Sequence, residues 1–316
     1  MDALQECLSH ASLAVRPDPR LNVSEWADTH RHLSQNASGE PGPWRTDRTP
    51  YLREIMDCLS PSSPVEKVVF MKGAQIGGTE AGNNWIGYVI HHAPGPMLAV
   101  QPTVEMAKRW SKQRIAGLID STPALRERVK EARSRDSGNT VQSKEFPGGI
   151  LVMTGANSAV GLRSMPVRYL FLDEVDAYDF DVDGEGDPVS LASQRTITFG
   201  NRKIFLVSTP TIQGFSRIEL EYEASDRRRW WVPCPECHEY QVLDEKRLQW
   251  PKDKPEEAAY FCEHCGVAIP SHRKAWMNSR GIWRAENPDS AIAGFWLSGL
   301  NSPWLTWAQI AERKAA

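Results

Sequence analysis

Five short apolar runs recur along the middle of the chain, and none of them alternates cleanly between apolar and polar positions. Such continuous runs are typical of strands buried on both faces of a parallel sheet. Segments of helical length, such as Glu80–Ile90 and Pro188–Thr198, separate several of them. The pattern predicts an α/β domain over residues 49–225, with a mainly parallel central sheet flanked by helices. The predicted strands are Val68–Met71, Met97–Val100, Ile150–Thr154, Val167–Leu172 and Ile204–Val207.

The two ends of the chain differ from this middle part. Residues 1–48 are polar and rich in turn formers, so we expect an arm that lies over the core, with Ser24 capping a short helix. Eight of the twelve tryptophans follow Arg229, so the amino-acid composition of the chain changes there. We therefore predict a separate small unit at residues 226–275 and a C-terminal segment at residues 276–316.

Composition sets broad limits on the protein class. The 316 residues, 41% hydrophobic and 24% charged, are enough to bury a sizeable core. No run of about 18 apolar residues occurs, so we expect no membrane span. The N-terminus lacks the layout of a signal peptide, which favours a cytosolic location. The net charge of −3 does not exclude a local basic surface.

A second helix is predicted at Thr103–Asp120, with Thr103 as its cap.

A glycine-rich stretch follows the first predicted strand and leads into the predicted helix Glu80–Ile90. The stretch is similar to the phosphate-binding loop G-x-x-x-x-G-K-[ST], whose backbone N–H groups surround phosphates, whose lysine reaches the β/γ-phosphates and whose hydroxyl binds Mg²⁺. Here the lysine stands at the position of the first glycine, and a glycine stands at that of the lysine. The predicted nucleotide contacts are Lys72, Gly73, Ala74, Gln75, Ile76, Gly77, Gly78 and Thr79.

Polar residues also follow two later predicted strands. Asp173 and Glu174 come directly after the strand Val167–Leu172, where the ligands of open α/β sheets bind. In nucleotide hydrolysis such an aspartate holds Mg²⁺ and the adjacent glutamate polarises the attacking water. The alternative interpretation is an acidic turn. Ser208 and Thr209 after the last strand either sense the γ-phosphate or begin a Thr-Pro turn.

An aromatic residue and an arginine complete the predicted nucleotide site. Tyr51 lies just upstream of the phosphate loop and is the candidate for stacking on adenine, although packing within its own helix is the alternative. An arginine fork matches phosphate oxygens, and Arg163, Arg195 and Arg202 are the candidates, with Arg163 placed in the predicted catalytic set. Basic stretches at Lys108–Arg114 and Arg227–Arg229 are candidates for contact with a nucleic-acid backbone.

Four of the six cysteines lie in two Cys-x-x-Cys pairs, which are Cys234 with Cys237 and, after 24 residues, Cys262 with Cys265. In a reducing compartment such pairs indicate metal binding rather than disulfides. Four thiolates as two knuckles match a structural Zn²⁺ site of ribbon type, with His238 and His264 as alternative ligands. Because four thiolates leave no open coordination position, we expect the metal to hold the fold and not to catalyse.

Taken together, these features resemble the large terminase subunits of tailed bacteriophages, in the gpA-type branch whose phosphate-loop lysine lies at the front of the loop. The resemblance implies a P-loop nucleotide hydrolase of the ASCE type (additional strand, catalytic glutamate) with a zinc ribbon, using ATP, Mg²⁺ and structural Zn²⁺. The segments that carry it are Val23–Asp28, Thr49–Tyr51, Lys72–Thr79, Leu172–Asp176, Asn201–Ile204, Val207–Thr211 and both cysteine pairs.

The resemblance also implies a function. Such proteins hydrolyse ATP to drive double-stranded DNA into an empty procapsid in the host cytoplasm, as a homo-oligomeric ring on a portal, with a small terminase subunit as partner. The roles implied are phosphate and Mg²⁺ binding for Lys72, Thr79 and Asp173, base catalysis for Glu174, coupling for Ser208–Pro210 and adenine contact for Tyr51.

The chain departs from this family at its C-terminal end. Large terminase subunits normally carry a nuclease domain after the ATPase, and too few residues follow Trp304 for that fold. We therefore expect no DNA cleavage from this chain. Two alternatives remain open at this point, which are a helicase-like nucleic-acid ATPase and a non-hydrolysing zinc-ribbon module for assembly or DNA binding.

Overall fold

A computed structural model of the chain describes residues 20–35, 39–130, 139–212 and 214–315, so the first part of the predicted arm lies outside the described residues. None of the described helices is both long enough and apolar enough to span a membrane. The helices are α1 (Val23–His30), α2 (Leu52–Cys58), α3 (Gly78–His91), α4 (Val104–Trp110), α5 (Ala116–Ser121), α6 (Pro123–Arg126), α7 (Ala159–Leu162), α8 (Pro188–Gln194), α9 (Arg217–Glu223), α10 (Lys274–Asn278) and α11 (Trp307–Ala315). The strands are β1 (His32–Leu33), β2 (Gly42–Pro43), β3 (Lys67–Lys72), β4 (Met97–Gln101), β5 (Ser143–Phe146), β6 (Gly149–Gly155), β7 (Tyr169–Asp173), β8 (Lys203–Ser208), β9 (Arg228–Pro233), β10 (Tyr240–Val242), β11 (Leu248–Gln249), β12 (Ala259–Phe261), β13 (Ala268–Ile269), β14 (Ile282–Arg284) and β15 (Ile292–Leu297).

One large sheet organises this part of the chain. Its strands follow the order β10-β9-β15-β3-β8-β7-β4-β6-β5, and β14 also pairs with β9. All neighbouring strands from β9 to β6 run parallel, whereas β5, β10 and β14 pair antiparallel. The predicted α/β class with a mainly parallel sheet is therefore confirmed, and all five predicted strands are present.

The sheet is covered on both faces, as the unbroken apolar runs require. Every residue of β4, β7 and β8 is buried. Successive side chains of a strand point to opposite faces, and Phe70 accordingly packs in one apolar cluster while Val69 packs in the other. Burial of a Phe or Val side chain contributes about 1.5–3 kcal/mol, so both layers help to fix the strand that carries Lys72.

The sheet continues past the predicted domain boundary at residue 226. Strand β9 belongs to it, and β15 from the predicted C-terminal segment lies between β9 and β3. The apolar run Ile292–Leu297, which gives this strand, did not enter the sequence prediction. The residues predicted as ribbon and C-terminal segment therefore supply one edge of the sheet and a strand directly beside β3.

Two helices differ locally from the prediction. The N–H of Met106 donates to Thr103 Oγ1 over 3.2 Å, so the predicted cap is confirmed, but a π-helical turn at Ser111–Ile115 interrupts the predicted long helix. The predicted cap Ser24 is wrong, because the cap is Asn22 and α1 therefore begins two residues earlier than predicted. The N–H of Asn22 donates to Glu25 Oε2 over 2.8 Å, which completes a capping box.

Two glycines bring the end of β15 against the loop after β3. The N–H of Gly73 donates to the carbonyl of Leu297 over 2.9 Å, and the hydroxyl of Ser302 donates to the carbonyl of Gln75 over 2.8 Å. A Cβ on Gly73 would lie 2.4 Å from the backbone nitrogen of Gly299. Since backbone atoms cannot move aside as a flexible side chain can, this contact requires glycine.

We expect Gly73→Ala to lower the free energy of unfolding by about 1–3 kcal/mol, the usual cost of overpacking, because its Cβ would push the 3₁₀ turn Gly299–Asn301 off the loop. Urea denaturation measures the change. Gly200→Ala is the matched control, since nothing lies within 4 Å of its added Cβ. Equal midpoints for the two variants would contradict the proposed role of this contact.

Candidate nucleotide site and metal centre

A cleft of about 800 Å³ lies where β3 and β7 end, and its volume is in the range of small-molecule sites. Lys72, Glu174 and the loop that follows β3 contribute to its lining. The lining also includes aromatic and basic residues that the sequence analysis did not assign to the site, namely Trp44, Arg45, Arg48, Arg114 and Trp304. The cleft therefore combines polar, basic and aromatic side chains.

The loop backbone turns so that α3 points its N-terminus at the cleft. Gln75 and Gly77 both have left-handed backbone conformations, with φ of 56° and 86°, and α3 begins at Gly78. The first N–H groups of a helix have no intrahelical partner, and the helix dipole makes this end positive. A 14-residue helix in this orientation presents a binding site for an anion such as phosphate.

Lys72 reaches the cleft from the strand side. Its side chain is only 7% exposed, and its Nζ donates to Glu174 Oε1 over 2.9 Å and to Thr209 Oγ1 over 3.2 Å. A Cβ on Gly78 would lie 2.7 Å from both Cδ and Cε of Lys72 and 2.9 Å from Cγ1 of Val207. The lysine stem thus occupies the volume beside position 78, which explains why a glycine stands where the usual motif has its lysine.

Asp173 and Thr79 form the second polar pair of the site. The Thr79 hydroxyl donates to Asp173 Oδ2 over 3.1 Å, and the Gln101 side chain donates to the same oxygen over 3.1 Å. Burial and then the negative charge of Glu174 raise the pKa of Asp173 to about 6, against the opposing effects of Gln101, Lys72 and Thr79. A carboxylate next to a hydroxyl is the oxygen donor set that suits Mg²⁺, so these residues fit that ion.

Gln101 is a site residue that the sequence analysis missed. It is the last residue of β4, and β4 is the neighbour of β7. The signal that identified Asp173, a polar residue at the end of a buried apolar run, applies equally to Gln101. Its position beside Asp173 follows from the parallel pairing, because parallel strands end at the same edge of a sheet.

The turns after β7 and β8 are tied together by the acids that follow Asp173. Glu174 has a left-handed conformation with φ of 54°, and its Oε2 accepts from the N–H of Thr209 over 3.4 Å. Asp176 accepts from the N–H of Thr211 over 3.0 Å and from that of Ile218 over 2.8 Å, while its own N–H donates to Ser208 Oγ over 3.2 Å. The segment after β8, which was predicted as the coupling element, is thus bonded to the turn that carries Glu174 and Asp176.

Tyr51 does not occupy the position predicted for it. Its side chain is fully buried, lies edge-on to Trp230 with ring centroids 6.1 Å apart, and does not line the cleft. Stacking on adenine conflicts with this burial. The alternative interpretation was packing within its own helix, but the ring contact of Tyr51 is with Trp230 of β9, far along the chain. The exposed aromatic surface of the cleft belongs to Trp304, whose side chain is 43% exposed and whose Cη2 would lie 3.7 Å from a Cβ on Gly77.

The three arginine candidates also lie outside the cleft lining. Arg163 pairs with Glu185 over 2.7 Å, and Arg202 pairs with Glu66 over 3.0 Å. Arg195 caps the end of α8 and is not part of the lining. The structure therefore brings Lys72, Thr79, Asp173, Glu174 and Thr209 together and leaves these arginines apart.

The four paired cysteines converge at a second centre. All four sulfur atoms lie within 4.8 Å of one another, with 3.9 Å between Cys234 and Cys265 and 3.8 Å between Cys237 and Cys262. A tetrahedral zinc with Zn–S bonds of about 2.3 Å sets its sulfurs about 3.8 Å apart, whereas a disulfide would need about 2 Å. The geometry therefore fits a four-thiolate metal centre.

The two cysteine pairs have matching backbone geometry. The N–H groups of Glu236 and His264 donate to the first sulfur of their own pair over 3.5 and 3.4 Å. The residues after each pair, His238 and Gly266, are both left-handed, with φ of 63° and 70°. His238 thus forms part of the turn, and its ring centroid lies 6.1 Å from that of Trp276. Neither His238 nor His264, the alternative ligands, belongs to the sulfur cluster.

The fold and these centres define a phosphate-loop nucleotide-binding protein of the α/β class with a four-cysteine ribbon. The family model of the phage terminase large subunit gpA, ATPase domain, matches residues 38–283. The chain belongs to this family of ATPase domains.

Relatives and solved structures are similar over most of the chain. The large terminase subunit of Enterobacteria phage P21 is 30% identical over 92% of this chain and 49% of that protein, and that of Escherichia phage lambda is 28% identical over 94% and 50%. The chain therefore spans about half the length of these curated relatives. Among solved structures, the large terminase ATPase domain of Thermus phage P74-26 has 12% identity and a TM-score of 0.41, covering 85% of this chain and 88% of that one.

We expect Gly78→Ala to weaken ATP binding by about tenfold, because its Cβ would displace the Lys72 stem. Titration with a fluorescent ATP analogue measures the change, and thermal melting checks the fold. In a Lys72→Ala background the same substitution should cost much less, because the lysine atoms are gone and only the 2.9 Å approach to Cγ1 of Val207 remains. Equal losses in both backgrounds would show that the stem does not set the choice of glycine.

Proposed function

We propose that this chain hydrolyses ATP and is the motor part of a machine that translocates double-stranded DNA into viral procapsids. The observation that carries the proposal is the convergence of Lys72, Glu174 and the Thr79–Asp173 pair at the N-terminus of α3, at the end of a single cleft. Membership in a family of terminase ATPase domains supports the choice of nucleotide.

In this proposal each residue has a separate task. The N–H groups of the loop and of α3 bind the phosphates, and Lys72 neutralises charge on the β/γ-phosphates. Thr79 and Asp173 would hold Mg²⁺, which supplies further charge neutralisation. Glu174 orients and deprotonates the attacking water. Thr209, bonded to both Lys72 and Glu174, is the residue that registers the loss of the γ-phosphate.

The ion pair between Lys72 and Glu174 must open for this chemistry. With the pair closed, the ammonium cannot contact phosphate fully, and the carboxylate is held by a cation instead of a water. A bound triphosphate competes for Lys72 and so releases Glu174. In this proposal Lys72 and Glu174 thus bind each other until a nucleotide is bound, and Glu174 becomes able to act on water only then.

The partners in the proposal follow from the family. They are duplex DNA, a small terminase subunit and a portal on the procapsid, with several copies of the chain forming a ring in the host cytoplasm and no membrane involved. Arg163 is exposed at 44% of its side chain and lies outside its own cleft, which suits a role in the site of a neighbouring copy. DNA cleavage is not part of this proposal.

The second part of the proposal is that Zn²⁺ occupies the four-cysteine centre as a structural ion. Cys234 and Cys237 lie in the hairpin between β9 and β10, and Cys262 and Cys265 lie in the hairpin between β12 and β13. One ion held by all four would join the edge of the large sheet to the small sheet β11-β12-β13.

We expect the two catalytic variants to differ in a way that tests the ion pair. Lys72→Ala should lose both ATP affinity and about 100-fold or more in hydrolysis rate. Glu174→Gln should lose about 100-fold or more in rate but bind ATP at least as tightly as wild type, since Lys72 no longer has a competing carboxylate. Steady-state phosphate release and analogue titration measure the two quantities.

Glu257→Gln is the control, because it removes the same charge from an exposed turn where Glu257 pairs with Lys254. It should leave both quantities unchanged. Absence of hydrolysis by the wild-type chain with duplex DNA under conditions of assembly would reject the proposed activity and favour a non-hydrolysing module. Strand separation on forked duplexes would instead favour the helicase alternative.

We expect about one zinc per chain by metal analysis and its loss in Cys265→Ala. Chelation should lower the free energy of unfolding by about 3 kcal/mol or more, as for removal of a ligand present at a hundred times its Kd. Cys58→Ala is the control that keeps zinc, since Cys58 is outside the cluster. Full zinc content and unchanged stability in Cys265→Ala would contradict a structural metal at this centre.

A further inference from the structure

Arginine and aromatic side chains alternate on one face at the edge of the large sheet. The guanidinium of Arg284 lies over the ring of Trp231 at 4.9 Å and over that of Tyr240 at 5.1 Å. The guanidinium of Arg280 lies over the ring of Trp276 at 4.3 Å. We call these five residues the arginine–aromatic face.

The sheet geometry explains why this face is open to solvent. Neighbouring residues of β9 point to opposite sides, and Trp230 is buried against Tyr51 while Trp231 is partly exposed. Ile282, which pairs with Trp231 across β9 and β14, is itself 41% exposed. The hydroxyl of Tyr240 donates to the carbonyl of Arg280 over 3.1 Å, which joins the two arginine positions.

The two guanidiniums differ from their neighbours in their ion pairs. Arg228 pairs with Asp226 over 2.8 Å, and Arg229 pairs with Glu286 over 2.8 Å. Among the residues that the structure describes, Arg280 and Arg284 have no carboxylate within ion-pair distance; Arg280 donates only to the carbonyl of Trp276 and the hydroxyl of Ser279. The face therefore carries two exposed positive charges that no acid offsets.

Stacking prepares these cations for a particular ligand. A guanidinium that lies flat on an aromatic ring keeps its N–H groups in the plane, directed away from the ring. Those N–H groups form the fork that matches two oxygens of a phosphate. Contacts with two rings, those of Trp231 and Tyr240, also limit the rotamers of Arg284, so that less conformational entropy is lost when the fork binds.

We propose that the arginine–aromatic face binds the phosphate backbone of duplex DNA, with Arg284 and Arg280 as the phosphate ligands. The inference rests on the proposed function, and it names the surface through which the chain holds its DNA. The contacts are to backbone and not to bases, so binding is independent of sequence. Such binding releases counterions and therefore weakens steeply with salt.

The basic helix that carries Lys108 and Arg109 is the competing surface. Lys108 already pairs with Glu105 over 2.8 Å, one turn away on the same helix. The aromatic residue of this helix, Trp110, is buried and packs against Phe171, with ring centroids 6.2 Å apart, instead of holding a cation of the helix. The structure therefore favours the sheet edge over this helix as the phosphate-binding surface.

The test is equilibrium binding of the chain to a labelled 30-base-pair duplex of mixed sequence, without nucleotide, over a series of salt concentrations. Each lost phosphate contact lowers the slope of log K against log salt by about 0.9. We expect Arg284→Gln to lower it by about 0.9 and the double variant with Arg280→Gln by about 1.8. Arg284→Lys should retain part of the affinity, because it keeps the charge and loses the fork.

Three comparisons make the result decisive. Arg126→Gln, on α6, removes one exposed charge elsewhere and should leave the slope unchanged. An unchanged slope in the Arg280/Arg284 double variant, with zinc content and melting temperature intact, would overturn the proposal. A drop of the slope in Lys108→Gln with Arg109→Gln, and not at the sheet edge, would overturn it in favour of the basic helix.

Hydrolysis without DNA separates this inference from the proposed function. Arg280 and Arg284 touch no residue of the nucleotide site, so their variants should keep the wild-type ATPase rate. A wild-type chain that binds duplex through these arginines yet hydrolyses no ATP would refute the proposed activity alone. Normal ATPase with an unchanged salt slope would refute the DNA surface alone.

Discussion

The route of the Lys72 side chain is the constraint on which the nucleotide site depends. The lysine ends β3, and its ammonium reaches Glu174 only because its stem crosses the space beside Gly78. A side chain at position 78 would compete for that space. The lysine at position 72 and the glycine at position 78 therefore depend on each other. When the lysine side chain enters the site from the end of the strand, the first residue of the helix must lack a side chain.

The position of Lys72 depends in turn on residues far along the chain. Strand β3 is flanked by β8 and by β15, and the turn after β15 packs its Gly299 against Gly73. Strand β15 also pairs with β9, whose hairpin carries Cys234 and Cys237. The phosphate loop and one pair of the cysteines thus lie at the ends of strands of one sheet. The residues predicted as separate units, 226–275 and 276–316, form the edge of this sheet and pack against the phosphate loop.

Local chemistry was readable from the sequence, whereas long-range packing was not. Unbroken apolar runs predicted the five strands. The glycine-rich stretch after the first run singled out Lys72 and Thr79, and the acids after a later run, Asp173 and Glu174, lie beside them because parallel strands end at one edge. The burial of Tyr51 against Trp230 and the contact of Gly73 with Gly299 join segments about 180 and 226 residues apart. No local pattern encodes such contacts, and the adenine assignment to Tyr51 failed for this reason.

The charges of the site favour a cation besides its lysine. Burial and Glu174 together raise the pKa of Asp173 to about 6, so the two carboxylates already oppose each other before a nucleotide arrives. Lys72 lies within bonding distance of only one of them, Glu174. A triphosphate would add several negative charges at the same place. A divalent ion held by Thr79 and Asp173 would supply positive charge against both repulsions, and Lys72 would remain able to exchange Glu174 for phosphate.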